Sequence, residues 1–578
     1  MFDVHSAVET SRHGSPEQVR GRREGEGLRL SVFIPAASSA HPRVRNLLAA
    51  AVALLASTSA FAQTAPTAKT LSPAEIDAQW QASVAKFTPA RKVELAKVAA
   101  GDAEGPFRPD WASLETYKTP QWYEDAKFGI FVHWGVYSVP SFGSEWYSRE
   151  MYEPGKADYD HHRQVYGPQD KFGYKDFIPL FTAQRFDPAA WAALFKAAGA
   201  RYVVPVAEHH DGFAMYASKL SDWTAVRMGP KRDVIGELEH AVRAEGLHFG
   251  VSSHRAEHDW FFDGGRTFAS DVNDPAYAAL YGPAQIRLPG KDDNDLMGEF
   301  TPVSQAWLDD WLARTSELVD EYHPDLVYFD WFVGHATYRN TVPKFLAYYY
   351  NQQAALGRGA VVNYKLGEFA PGSAVLDIER GQAPGIQAKT WQTCTSISDK
   401  SWGYVEGDTY KSPEQLIHLL IDVVSKNGNL LLNVGPRPDG TIPDAARDTL
   451  LAMGRWLKVN GAAIYGSRPW RVFGEGPTDI VSGSFQETKT KPYTDRDFRF
   501  TTHDGALYVL ELARPTTREI VIQSITPQDG VARVVRLADG KALGFRQATD
   551  GLHIAVSANP PGEYAFVYRI DLKPRGAS

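Results

Sequence analysis

The feature that most constrains this chain is an alternation between two kinds of segment. "KFGIFVHWG" (127–135), "RYVVPVAEHH" (201–210), "LHFGVSSH" (247–254), "PDLVYFDW" (324–331), "AVVNYK" (360–365) and "NLLLNVGP" (429–436) are short apolar runs that read as buried strands. Between them stand "DPAAWAALFKAAGA" (187–200), "DVIGELEHAVRAEG" (233–246), "VSQAWLDDWLARTSELVDEYH", "KFLAYYYNQQAALG" and "SPEQLIHLLIDVVSKNG", which carry helical periodicity. Strands apolar on both faces, joined by helical crossovers, belong to parallel sheets. Repetition over roughly 350 residues favours an α/β fold of the (β/α)8, TIM-like barrel type over an open sheet.

From about Trp470 the pattern changes. "FRFTTHDGALYVLELAR", "REIVIQSI", "VARVVRLADGKALGFRQATDGLHIAVSA" and "EYAFVYRI" are short β-type runs punctuated by Asp-Gly turns. They predict a C-terminal antiparallel β-sandwich. The expected division is a helical N-terminal segment at 63–107, a barrel at 108–469 and the sandwich at 470–578.

Residues 1–62 are expected to lie outside the folded protein. "HPRVRNLLAAAVALLASTSAFAQTAP" sets Arg43 and Arg45 before an apolar run from Leu47 to Ala56, then Ala60-Phe61-Ala62. A basic flank, an apolar run too short to span a bilayer and an A-x-A site make a signal peptide, cleaved after Ala62. The polar stretch ahead of it suits a start further downstream, at Val32 or Val44. The product would be exported, periplasmic or secreted, from a bacterial cell. No second stretch is apolar enough for a membrane span. The net charge of −8 without a basic block argues against nucleic acid. One cysteine, Cys394, excludes internal disulfides; in "WQTCTS" it reads as a packed small residue.

In a barrel the chemistry gathers at the C-terminal strand ends. Those ends carry His133 and Trp134, then His209 and His210, His254, Asp330 and Trp331, and finally Asn363 and Lys365. The loop "GSEWYSREMY" adds Glu145, Trp146 and Tyr147. Polar and aromatic side chains would thus converge where a polyhydroxylated ligand could sit. "HRAEH" (254–258) matches the H-x-x-E-H pattern of a zinc peptidase. That pattern holds a metal only on a helix, where positions four apart share a face, and here it follows a strand. A pocket or hydrogen-bonding role for His254 is the better reading.

Five blocks, in order over about residues 108–470, resemble the α-L-fucosidases of glycoside hydrolase family 29. They are "WYEDAKFGIFVHWGVYSVPSFGSEWYSREMY", "EHHDGFAMYASKLSDWTAV" with "GPKRDVIGEL", "LVYFDW", "TSISDKSWGY" and "LIDVVSKNGNLLLNVGPRPDGTIP". The resemblance implies an exo-acting retaining α-L-fucosidase that needs no cofactor or metal. Its substrate would be a fucosylated oligosaccharide or glycoconjugate, and a homo-oligomer is compatible with it. By position, Asp330 would be the nucleophile, and His133, Glu145, Trp146, His209, His210, Lys365 and Trp402 would bind substrate. Trp402 could lie against the C5 methyl of fucose. The general acid/base falls on Glu379 in "LDIERG", with Glu368 as the competing position. Two departures stand out: Lys365 where many relatives carry arginine, and Ser252-Ser253-HRAEH where many carry tyrosine. A non-catalytic fucose-binding protein and, more remotely, the zinc peptidase are the alternatives.

Overall fold

The computed structural model describes residues 71–286, 303–557 and 559–573. The signal sequence and start site therefore lie outside the described residues.

Eight parallel strands close into a barrel in sequence order. They are β1 Phe128–Val132, β2 Tyr202–Glu208, β3 His248–Ser253, β4 Leu326–Phe329, β5 Val361–Lys365, β6 Val375–Asp377, β7 Trp391–Ser396 and β8 Gly428–Val434. Ile130 of β1 pairs with Val203 of β2 on one side and with Leu432 of β8 on the other, which closes the ring. Almost every strand residue is buried, as the apolar runs require. Gly129 of β1 makes room for a neighbour: a Cβ there would stand 2.4 Å from the Tyr202 ring.

The crossover helices start where capping chemistry allows. Asp187, Asp233, Ser304 and Ser412 each accept a hydrogen bond from a first-turn N–H of the helices Pro188–Ala197, Val234–Ala244, Gln305–Tyr322 and Pro413–Ser425. Two strands, β6 and β7, escape the apolar-run reading. The first has three residues, and the second, Trp-Gln-Thr-Cys-Thr-Ser, is mostly polar yet buried throughout. No helix lies between β5 and β6 or between β6 and β7. These two connections supply no crossover helix of their own, and Ile378 and Ala383 after β6 pack instead against Leu419 and Val423 of the helix Pro413–Ser425.

The N-terminal helical segment packs on the barrel's own helices. Helices Pro73–Val84 and Thr88–Ala103 are joined by a 3-10 turn at Ala85–Phe87. The Trp80 ring lies 5.1 Å from that of Trp307, and Lys97 pairs with Asp320 at 2.9 Å. Arg91 reaches the buried Asp310 at 2.5 Å.

The C-terminal strands form two antiparallel sheets. One is ordered β13-β16-β11-β10-β9 and the other β12-β15-β14. Their ranges are β9 Arg468–Glu475, β10 Phe498–His503, β11 Ala506–Glu511, β12 Glu519–Ile522, β13 Val531–Arg536, β14 Phe545–Ala548, β15 Gly551–Ala555 and β16 Phe566–Leu572. The expected Asp-Gly turn joins β10 to β11: His503 pairs with Ala506 across Asp504 and Gly505, both at positive φ. Strand β11 is buried on both faces. Ala506, Tyr508 and Leu510 join the barrel's core, while Leu507 and Val509 pack inside the sandwich with Ile520, Ile522 and Leu552. No helix among the described residues is long and apolar enough to cross a membrane.

Candidate active site

The C-terminal strand ends surround one cavity of about 250 Å³. His133 follows β1, His209 and His210 follow β2, His254 follows β3 and Asp330 follows β4. Glu379 stands two residues beyond β6, Trp402 follows β7, and Glu145 and Trp146 come from the long β1–β2 connection. Because parallel strands point one way, residues far apart in sequence meet here.

Asp330 is gripped from three sides. His254 Nδ1 donates to its Oδ2 at 2.9 Å, His210 Nε2 lies 3.5 Å from the same oxygen, and Lys365 Nζ lies 3.7 Å from Oδ1. Burial would push the carboxyl up, but His254, His210 and Lys365 outweigh it and hold Asp330 well below the usual carboxylate range. Burial holds His254 itself below its ordinary value. Ser252 Oγ lies 2.8 Å from its Nε2 and can donate to it. The network therefore assigns a neutral ring with its proton on Nδ1, toward Asp330.

Glu379 is treated differently. Its Oε2 accepts from Trp331 Nε1 at 2.9 Å and from Lys365 Nζ at 2.9 Å. Burial pushes Glu379 up; Lys365 opposes this, and the negative Asp330 adds to it, leaving the group above its ordinary value. Two carboxyl groups in one cavity are thus shifted in opposite directions, the pattern that separates an acid from a nucleophile. One ammonium touches both, so their nearest oxygens are no further apart than its two legs of 3.7 and 2.9 Å laid end to end.

Glu368, the competing acid, does not line the cavity. Its oxygens accept backbone N–H groups from Lys365 at 3.1 Å and Gly334 at 3.5 Å. Lys365 is placed differently from the other expected binding residues. Expected among the substrate-binding residues, it is 1% exposed and absent from the cavity wall. Its ammonium lies beneath the two carboxylates, donating to Tyr328 Oη at 2.5 Å and Asp377 at 3.2 Å as well as to Glu379. With these partners the ammonium orients the two carboxyls.

The other six expected binding residues all stand on the cavity wall. His133 Nδ1 donates to Asn433 Oδ1 at 2.7 Å, which leaves Nε2 for a ligand. Burial, reinforced by His254, holds His133 well below its ordinary value, so Nε2 is an acceptor. Burial beside His210 and His254 does the same to His209. At His210 burial acts downward too, but Glu257 and Asp330 outweigh it and raise the imidazole to about 9. Glu145 Oε2 accepts from Trp402 N at 2.8 Å and Ser401 Oγ at 3.0 Å, tying down the Trp402 loop. Trp146, Trp331 and Trp402 form a half-buried aromatic rim.

The HRAEH segment is not a zinc helix. Arg255–Asp259 is a single 3-10 stretch with His254 outside it. His258 Nδ1 donates to the His210 carbonyl at 2.6 Å, and His258 is not on the cavity wall. Three residues of the motif build the surroundings of Asp330 and His210 instead. His254 holds Asp330, Arg255 is buried between Glu208 at 2.5 Å and Asp310 at 2.6 Å, and Glu257 lies 3.6 Å from His210. Two groups, His133–His209–His254 and His210–His254–Asp330, have ligand atoms close enough to share a cation. Both nitrogens of His254 are already bonded, so a cation there would have to break the contact to Asp330 or to Ser252.

Sequence reasoning did not find Phe131, Glu257, Tyr328 or Phe485 on the wall. Tyr328 and Glu257 could have been read from their neighbours in the strand-end motifs. Phe485 had no signal, because it lies in "VSGSFQETKT", a stretch with neither strand nor helix pattern.

The geometry can be set beside known proteins. The family model described as alpha-L-fucosidase matches residues 94–462. The chain is 32% identical to rat tissue alpha-L-fucosidase, over 81% of this chain and 92% of the relative. It is 36% identical to human plasma alpha-L-fucosidase, over 76% of this chain and 86% of the relative. Among solved structures it is similar to Thermotoga maritima alpha-fucosidase, with a TM-score of 0.65 and 33% identity over 80% of this chain and 100% of that one.

Proposed function

Since the chain belongs to the α-L-fucosidase family and is a glycoside hydrolase that removes terminal α-L-fucose, we propose that it does so by double displacement, with retention at the anomeric carbon. Asp330, ionised, attacks C1 and forms a glycosyl ester. Glu379, protonated, gives its proton to the departing glycosidic oxygen. In the second step Glu379 takes a proton from water, which attacks C1 and frees Asp330. His133 and His209, neutral, accept hydroxyl hydrogens; His210 donates; Glu145, Trp146 and Trp402 complete the sugar site.

The observation that supports this reading most is the shared ammonium of Lys365. Retaining glycosidases hold their carboxyl groups about 5–5.5 Å apart, whereas inverting ones leave about 6.5–9.5 Å for a water. A cation 3.7 Å from one carboxylate and 2.9 Å from the other favours the shorter spacing. Proton NMR of the first product formed tests it. α-L-Fucose appearing first is the expected result; the β anomer appearing first would mean inversion.

We also propose that residues 1–62 are removed on export, that the mature chain is organised as 63–107, 108–469 and 470–578, and that homo-oligomers form. N-terminal sequencing of the exported protein and sedimentation of the mature chain test these points.

A further inference from the structure

The loop carrying Glu379 packs on one side against Leu419 and Val423 of the helix Pro413–Ser425, and a segment from the C-terminal sheets lies on it as well. Between β9 and β10, Gly483 N donates to Gln382 O at 2.9 Å, Phe485 N to Glu379 O at 2.8 Å and Glu487 N to Arg380 O at 3.0 Å. The approach is so close that a Cβ on Gly381 would stand 1.9 Å from Gly483 O. The Glu487 carboxylate fixes the far end, 3.2 Å from Arg380 and 3.3 Å from Lys411. The segment is therefore fastened to the acid/base loop along its length.

This attachment presents one side chain to the cavity. Phe485 sits at φ 58, a backbone region that aromatic residues rarely enter and that persists only where neighbouring contacts impose it. Its ring lines the cavity, yet the residue is 55% exposed, whereas the three rim tryptophans are half-buried. A scattered exposed aromatic needs no explanation. This one is held against the residue proposed to protonate the leaving group, on the open side of the site.

We infer that Phe485 is the platform for the leaving-group sugar, so that the C-terminal module supplies the subsite that selects oligosaccharides over small glycosides. The inference rests on Glu379 as the acid/base. A hexopyranose presents an apolar C–H face that a flat, exposed ring can cover, and Phe485 is the exposed ring on the cavity wall beside Glu379. Phe485 touches no group that changes bonding, so its contribution belongs to binding of the leaving group.

The test compares two substrates: the best of a set of fucosyl disaccharides ending in a hexopyranose, and α-L-fucosyl fluoride, whose leaving group is one atom. Phe485→Ala should lower the ratio of kcat/KM for disaccharide over fluoride by about tenfold or more, chiefly through KM. Phe485→Tyr, which keeps the ring, should restore the ratio to within about threefold of the parent. Equal losses on both substrates would show that the ring only braces the loop, and an unchanged ratio would show that it is a bystander; either overturns the proposal. The acid/base reading fails separately, if Glu379→Ala slows fluoride hydrolysis as much as disaccharide hydrolysis.

Discussion

Asp330 and Glu379 share the ammonium of Lys365 but not its effect. Asp330 has His254 and His210 as well, which together outweigh burial; Glu379 has burial and a negative neighbour against one cation. The bell-shaped dependence of kcat/KM on pH should therefore keep its acid limb below the ordinary carboxylate range and its basic limb above it. Removing the His254 donor raises the pKa of Asp330, because the ionised form loses a hydrogen bond. His254→Phe should shift the acid limb to higher pH and leave the basic limb nearly in place; a profile unchanged on the acid side would refute the role given to His254. Glu379→Ala should hurt natural glycosides far more than aryl fucosides, whose leaving group needs little protonation, and equal losses would point to another acid. Much at this scale was legible, because strand ends are short and polar residues in them stand out. The partners of Lys365 were not legible: sequence shows that a cation ends β5, but not that Asp377, Tyr328 and Glu379 occupy it from below.

Among the elements, the segment after β3 carries the most chemistry for its length. Arg255 is anchored by Glu208 of β2 and by Asp310 of the helix Gln305–Tyr322, and Asp310 also holds Arg91 from the N-terminal helices. Removing Asp310 takes the carboxylate from Arg91 and leaves Arg255 with Glu208 alone. Asp310→Ala should cost about 3–5 kcal/mol, the usual penalty for a buried charge left without its partner. A fall in the urea midpoint would show it; an unchanged midpoint would mean that Arg91 and Arg255 find water or other partners. This network was not legible, since nothing in a periodicity pattern tells a buried arginine from an exposed one. The helices were, because capping residues and apolar faces are local properties. Strands β6 and β7 were not: their burial comes from barrel closure, and their own residues are few or polar.

On the scale of the whole molecule, the sandwich is part of the enzyme's core. The five-stranded sheet turns Tyr508, Leu510 and Val567 toward the barrel, and Arg499 of β10 donates to Asp422 of the helix Pro413–Ser425 at 2.6 Å. A chain ended after Ser467 should therefore expose that apolar face, bind a hydrophobic dye and lose activity; a monodisperse, active product would contradict this. The sandwich itself was legible from its Asp-Gly turns, but its second buried face was not, because β11 carries apolar residues on both sides without saying which neighbour each meets. Residue, element and whole molecule bear on one proposed event, attack on C1 by Asp330. The direct test is inactivation with 2-deoxy-2-fluoro-α-L-fucosyl fluoride, followed by peptide mass spectrometry. The account predicts one fluorofucosyl group, on Asp330; a label on another carboxylate, or steady turnover of the reagent without any trapped ester, would contradict it.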